Sequence, residues 1–319
     1  MNTVIIDGLS FTLPLFIMAI GGIYSERSGI TNLALEGLQG FGAFIGAFVA
    51  VMLAGNFSAN SQVPYYMAIL FAVIGGMAYA SIHALLCIKF KANQVISGVV
   101  INILAMALTA FLTKQVNKVV FGAPSDKFVL GVSARWTVPV LSDIPILGAV
   151  FTNIYPFEVI IVVIVVIAWY LLYQTKYGLY LRACGENPHA VDAAGIDVAK
   201  IRFLAVLMSG ALSGLAGISF AYSISANFSS AIYVGYGYLA IAALIFGNWK
   251  IFPTLGACLL FGFARSGGYR IVQILQMPSS YSDLVMILPY ALTLLLLIFF
   301  SKHNRAPRAL GEIYDKGKR

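Results

Sequence analysis

Long apolar stretches broken by short polar joints dominate this chain. Between Glu36 and Lys89 lie 52 residues without a single Asp, Glu, Lys or Arg, and another 47 separate Arg202 from Lys250. A hydrocarbon core about 30 Å thick takes about 20 helical residues, so each of these stretches reads as more than one membrane-crossing helix. The pattern predicts spans near 8–25, 33–55, 64–88, 94–113, 155–175, 203–224, 235–247, 251–265 and 283–300. The seventh and eighth are short, as half-helices or one broken element would be. A further short segment near 138–151 is interrupted by Pro139, Pro145 and Gly148. The expected fold is an all-α polytopic membrane helix bundle of about 8–10 spans. Residues 1–300 form its single transmembrane domain, and 301–319 an ordinary solvated cytoplasmic tail.

Composition removes the soluble alternatives. Hydrophobic residues make up 60% of the 319 and charged residues 10%, where a soluble domain carries about 25%. The mean hydropathy is +0.90. The formal charge of +8 would suggest nucleic acid in a soluble protein, but no basic patch alternates with aromatics in a soluble segment. The excess instead follows the positive-inside bias. With the N-terminus outside and the C-terminus cytoplasmic, the inner segments hold 14 Lys and Arg and the outer ones 6. The N-terminus lacks the basic region and cleavage site of a signal peptide, so the first apolar run is expected to stay as a span.

Once the spans are removed, no piece is long enough to fold as a catalytic domain. There is no GxxxxGK(S/T), HExxH or GxSxG pattern, and Cys87, Cys184 and Cys258 have no metal-ligand spacing. The chain reads as no enzyme, with no metal site and no cofactor of its own.

Three polar segments stand out. In the first, residues 25–37, a helix starting near Ser28 would put Ser28, Asn32 and Glu36 on one face. A carboxylate facing lipid is costly, so Glu36 should face the bundle interior or water, paired with Arg27. These groups, with Glu26, either line a solute path or form a structural ion pair at the turn. In the second, Gln94, Gly98 and Asn102 make a polar stripe, with Ser97 beside it. Such a stripe serves helix packing. Alternatively, its amides present a donor and an acceptor to a neutral polar ligand. In the third, residues 176–202, Asn187 before Pro188 signals a helix start, and Gly195 signals its end. A short polar helix on the basic side suits partner docking, or else is a plain solvated loop. His83 reads as a packed membrane histidine, His189 as solvated, and Trp136 and Trp249 as interface anchors.

Together these segments resemble the membrane permeases of ABC importers in the branched-chain amino acid, ribose and nucleoside group, with the nucleoside type nearest. The resemblance is carried by Glu26-Arg27-Ser28-Gly29 through Asn32 and Glu36-Gly37; by Gln94 to Gly98 with Asn102; by Leu181-Arg182-Ala183 through Gly185-Glu186-Asn187-Pro188 and Ala194-Gly195-Ile196; and by Ala242 to Lys250. It covers about residues 8–300 and implies alternating access in a bacterial inner membrane. It further implies that the third segment, with Arg182, Gly185, Glu186, Asn187, Asp192 and Gly195, is the coupling helix seated on a separate ATPase chain carrying ATP and Mg. The other implied partners are a second, paralogous permease and an extracellular or periplasmic solute-binding lipoprotein. Asn93 stands where nucleoside-type permeases often have Asp, and Ile251-Phe252 precede Pro253, so riboflavin stays open as cargo beside ribose, another sugar or branched-chain amino acids. A secondary transporter would need a titratable group at mid-membrane, for which Glu36 is the one strong candidate. A faint echo between 33–37 with Gly42-Ala43 and 243–247 with Gly256-Ala257 suggests an inverted repeat.

Overall fold

The computed structural model describes every residue except 1, 59, 132, 146, 233, 279, 301–303 and 318–319. Among the described residues there are eleven α-helices: α1 Asn2–Arg27, α2 Leu35–Ala54, α3 Val63–Ala84, α4 Gln94–Phe121, α5 Pro156–Gln174, α6 Lys176–Glu186, α7 Pro188–Ala193, α8 Val198–Ile224, α9 Tyr236–Phe246, α10 Ile251–Ile274 and α11 Ser280–Phe300. A π-helical turn, Leu85–Lys89, extends α3. Six of these elements are long and apolar enough to cross a membrane: α1, α2, α3 with its π turn, α4, α5 and α8. The expected all-α polytopic bundle is thus observed. The eighth expected span is longer than its apolar stretch, because α10 runs on through Arg265 to Ile274. Residues 138–151 form no span. They make the 3-10 turns Leu141–Asp143 and Leu147–Phe151 beside a bridge between Trp136 and Ile154.

Four helices build the centre. α8 packs on α1, α2 and α3, and α2 on α3, and glycine makes these crossings possible. A Cβ on Gly42 would sit 2.4 Å from the Gly214 Cα, and one on Gly76 would sit 2.2 Å from the Gly210 carbonyl oxygen. In lipid, where burial of apolar surface drives little helix association, backbone approach of this kind supplies the packing. Around it, α4 and α5 keep broad apolar faces exposed, including Ile96, Ile103 and Phe111 on α4 and Val163 and Val166 on α5.

The bundle has two distinguishable ends. At one lie the end of α1, the α3–α4 turn, α6, α7, the start of α8 and the C-terminal residues 304–317, joined by bonds such as Arg202 Nε to the Ser28 carbonyl (3.0 Å) and Lys91 Nζ to Asp315 (2.9 Å). At the other, Lys127–Val129 and Asn227–Ser229 pair as two short antiparallel strands, capping the ends of α4 and α8. There the Glu158 carboxylate accepts from Ser10 Oγ at 2.6 Å and from the Tyr155 N–H, closing the first turn of α5. Of the 14 Lys and Arg counted above as inner, the 11 that are described lie in elements at the first end.

The tail corrects an expectation. Residues 304–317 are not a loose solvated end but lie against the bundle, with Pro307 and Ala309 buried. The remaining tail positions, 301–303 and 318–319, lie outside the described residues.

Candidate functional site

The segment read as a helical face is a break. α1 stops at Arg27 and α2 starts only at Leu35, with residues 28–34 between them non-helical. Gly29 sits at φ +96°, a left-handed conformation that glycine tolerates, and a Cβ there would run into the Arg202 guanidinium. Ser28, Asn32 and Glu36 therefore do not share a helix face. Their tasks differ. Ser28 Oγ donates to the Ser25 carbonyl at 2.6 Å, and Asn32 Nδ2 donates to Ser209 Oγ at 2.8 Å while its Oδ1 accepts from the Ala34 N–H.

The expected Arg27–Glu36 pair is also absent. Arg27 Nε donates to the Trp249 carbonyl at 3.0 Å, whereas Glu36 Oε2 accepts from the Gly235 N–H at 2.7 Å. Glu36 thereby caps the start of α9, where the helix dipole favours an anion. Glu26 turns the other way and accepts the Trp249 indole N–H. Trp249 is 5% exposed, so it is no interface anchor but a plug between two helix breaks. The second of these breaks is the turn at Gly247–Lys250 between α9 and α10.

The polar stripe on α4 explains how the first break holds its shape. Asn93 Oδ1 caps α4 by accepting from the Val95 and Ile96 N–H groups. Gln94 Oε1 accepts from the Thr31 N–H at 2.7 Å. Two turns on, Asn102 Oδ1 accepts from the Gly37 N–H and its Nδ2 donates to the Leu33 carbonyl, both at 2.7 Å. The amides replace the helical partners that residues 28–34 lack, as non-helical backbone at membrane depth requires. Ser97 instead bonds buried His83, Oγ to Nδ1 at 2.8 Å, consistent with a packed histidine.

Where the start of α2, just past the first break, and the segment leading into α9 meet α4 there is a cavity of about 190 Å³. Glu36, Asn102, Thr109, Ser230 and Tyr238 supply its polar wall, and Ile103, Met106 and Val234 its apolar one. Asn102 Nδ2 also reaches the Tyr238 hydroxyl at 3.3 Å. Asn102 is eight residues into α4, so the cavity lies roughly 12 Å along the helix from its start. Of the eight path residues read from sequence, Glu36 and Asn102 line this cavity. Glu26, Arg27, Ser28, Asn32, Gln94 and Ser97 lie around the break without lining it. Tyr238, Thr109 and Ser230 escaped the sequence reading, because an aromatic or hydroxyl in an apolar run carries no signal until a neighbour gives it a task.

The third segment forms the short helix its caps predict. Asn187 Oδ1 accepts from the Ala190 N–H at 3.0 Å, Pro188 opens α7, and Gly195 follows it at φ +79°. Glu186, Asn187 and His189 are exposed, and Asp192 is half-buried. Arg182 lies over the Tyr173 ring, and the Gly185 carbonyl accepts from the Ala309 N–H at 2.8 Å. The sequence echo finds no matching elements, since Leu33–Gly37 leads into α2 whereas Ala243–Gly247 closes α9.

A multi-pass membrane bundle with a non-helical break beside a polar cavity is the architecture of a transport permease. The family described as branched-chain amino acid transport system / permease component matches residues 4–297, and the chain belongs to it. Full-length relatives support this. The guanosine ABC transporter permease protein NupQ of Bacillus subtilis is 36% identical over 315 residues, which is 98% of this chain and 96% of NupQ. The nucleoside ABC transporter permease protein NupC of Lactococcus lactis subsp. cremoris is 37% identical over 324 residues, 100% and 98% of the two chains. The putative glucose ABC transporter permease protein TsgC13 of Haloferax volcanii is 33% identical over 78% of this chain and 71% of its own. These relatives are permease subunits, not enzymes. No solved structure matches the chain.

Proposed function

We propose that this chain is the membrane permease of an ATP-driven nucleoside importer in a bacterial cell membrane. The observation that carries the reading is end-to-end similarity to two permeases named for guanosine and nucleosides. The cavity fits it chemically. A nucleoside is neutral, with a ring for the apolar wall and hydroxyls and ring nitrogens for Glu36, Tyr238 and Ser230. At about 190 Å³ the cavity is smaller than the roughly 300 Å³ at which ligand pockets begin. Its wall residues Ile103 and Met106 are 61% and 52% exposed, which suits completion by a second permease packed on α4.

In this reading α7 and its flanks, Arg182 to Gly195, lie on the cytoplasmic side and seat on a separate ATPase that holds ATP and Mg; this chain itself binds no cofactor. A solute-binding lipoprotein delivers ligand from outside. Closure of the ATPase pair drives α7, and the path beside Glu36 opens alternately to the two sides of the membrane. Only the different affinity of ATP for the two states shifts that equilibrium.

The test is uptake of labelled guanosine, uridine, adenosine, riboflavin, ribose and leucine in cells with and without this chain, its partners present. Loss of nucleoside uptake alone is expected. Loss of riboflavin, ribose or leucine uptake instead would replace the solute and keep the importer.

A further inference from the structure

The C-terminal residues 304–317 make a series of contacts across one end of the bundle. The Arg305 N–H donates to Asn248 Oδ1 at 2.8 Å, in the turn between α9 and α10. The Ala309 N–H donates to the Gly185 carbonyl at the end of α6, and the Gly311 N–H donates to the Gly29 carbonyl in the α1–α2 break at 3.0 Å. The Glu312 carbonyl accepts from Arg202 Nη1 at 3.1 Å. Tyr314 packs its ring on His189 of α7, Lys316 pairs with Asp192 of α7 at 3.3 Å, and Asp315 pairs with Lys91 at the α3–α4 turn. In fourteen residues the tail thus touches both helix breaks and α7.

Arg202 is the fixed point of this arrangement. It is 2% exposed, and one guanidinium holds the Ser28 carbonyl through Nε and the Glu312 carbonyl through Nη1. Only a planar guanidinium spans two acceptors in this way; a lysine ammonium has the charge without the fork. Gly29 leaves the space that the same guanidinium fills.

We infer that residues 304–317 are a transmission strap that, clamped by Arg202, carries displacement of α7 to the two helix breaks, the first of which adjoins the Glu36–Asn102 cavity. Coupling between distant sites travels through packed, hydrogen-bonded elements that both sites bias. Apart from the strap, α7 reaches the α1 break through α6, where Gly185 lies against the Arg27 carbonyl, and through α8, whose Arg202 bonds the Ser28 carbonyl. The strap adds a further path and, among the described residues, contacts both breaks and α7. Its Asp192 and His189 contacts leave Glu186 and Asn187 exposed for an ATPase. The inference rests on α7 being the ATPase-facing helix.

The experiment compares the full importer carrying wild-type chain with one whose chain ends at Asn304, reconstituted in vesicles. Co-purification of the ATPase, ATP hydrolysis and uptake of labelled guanosine are read in parallel. The strap-less importer should keep its ATPase yet import at least tenfold less guanosine per ATP hydrolysed, and Arg202→Lys should show the same defect. Unchanged uptake per ATP overturns the inference. Loss of the ATPase from the purified complex also overturns it, since the tail would then be a docking surface. If the wild-type assembly shows no ATP-driven uptake, the importer reading itself fails, which separates the two claims. Should the shortened chain not reach the membrane, amide exchange in the wild-type importer decides. Ala309 and Gly311 should be protected, and their protection should change together with that of α7 when nucleotide binds. Free-chain exchange rates, or protection indifferent to nucleotide, overturn the inference.

Discussion

The Glu26 carboxylate accepts the indole N–H of Trp249 at 2.5 Å, fastening the end of α1 to the turn between α9 and α10. Trp249 adopts φ +54°, next to Asn248 at +52°, a left-handed pair that a bulky residue enters only when its surroundings hold it. Arg27 supplies the rest of the grip by donating to the Trp249 carbonyl. Strain of this sort, of order 1–3 kcal/mol, collects at switching elements.

Trp249→Phe should therefore keep the apolar fill but strand the Glu26 acceptor. We expect a loss of about 1–3 kcal/mol, read as a lower melting temperature of the detergent-solubilised protein. Glu26→Gln, which still offers an oxygen to the indole, should lose less. Equal losses would mean that an amide oxygen does not replace the carboxylate as the indole's acceptor.

Asn102 holds the Gly37 N–H and the Leu33 carbonyl at once. Asn102→Leu leaves both unpaired at about 1–3 kcal/mol each. Asn102→Asp keeps the acceptor for Gly37 and loses the donor to Leu33. We expect solute uptake to fall in both, with the folded yield falling further in the leucine variant, measured by size-exclusion profile and uptake in the same membranes. Wild-type uptake in either would remove Asn102 from the path.

The cap of α7 gives a graded test of coupling. Asn187→Ala removes an N-cap worth about 0.5–2 kcal/mol, and Glu186→Ala removes an exposed charge beside it. The double variant should remain in the membrane and uncouple ATP hydrolysis from uptake. Asn187→Ser keeps a cap and should stay coupled. Full uptake in the double variant would remove α7 from the ATPase contact.

Cys184 lies buried in α6, and burial pushes its thiol up to about 11. Very little thiolate is then present at neutral pH, and the thiolate is the reactive form. Maleimide should leave Cys184 unlabelled in the native protein and label it after denaturation, as mass spectrometry would read. Labelling at neutral pH in the native state would mean that α6 opens away from its neighbours.

Much of this was readable in the chain. Charge-free runs such as 37–88 have no stable alternative to crossing a membrane, whatever their neighbours. The α7 caps were equally readable, since Asn187, Pro188 and Gly195 act on backbone within a few residues of themselves. Glu36 and Asn102 stood out as polar groups too costly to face lipid.

What each polar group bonds to was not readable. Helical spacing put Ser28, Asn32 and Glu36 on one face, but Gly29 and the two α4 amides support an unwound segment there, and those amides lie more than 60 positions away. The same limit hid Trp249 as the partner of Glu26, 223 positions apart, and the tail as a bound strap rather than a solvated end. By itself the sequence determined the solvent each segment lives in, because hydropathy and capping are local properties. Only the tertiary structure decided which distant donor meets which acceptor, because in lipid every unwound carbonyl and N–H must find a partner, and three-dimensional packing chooses it.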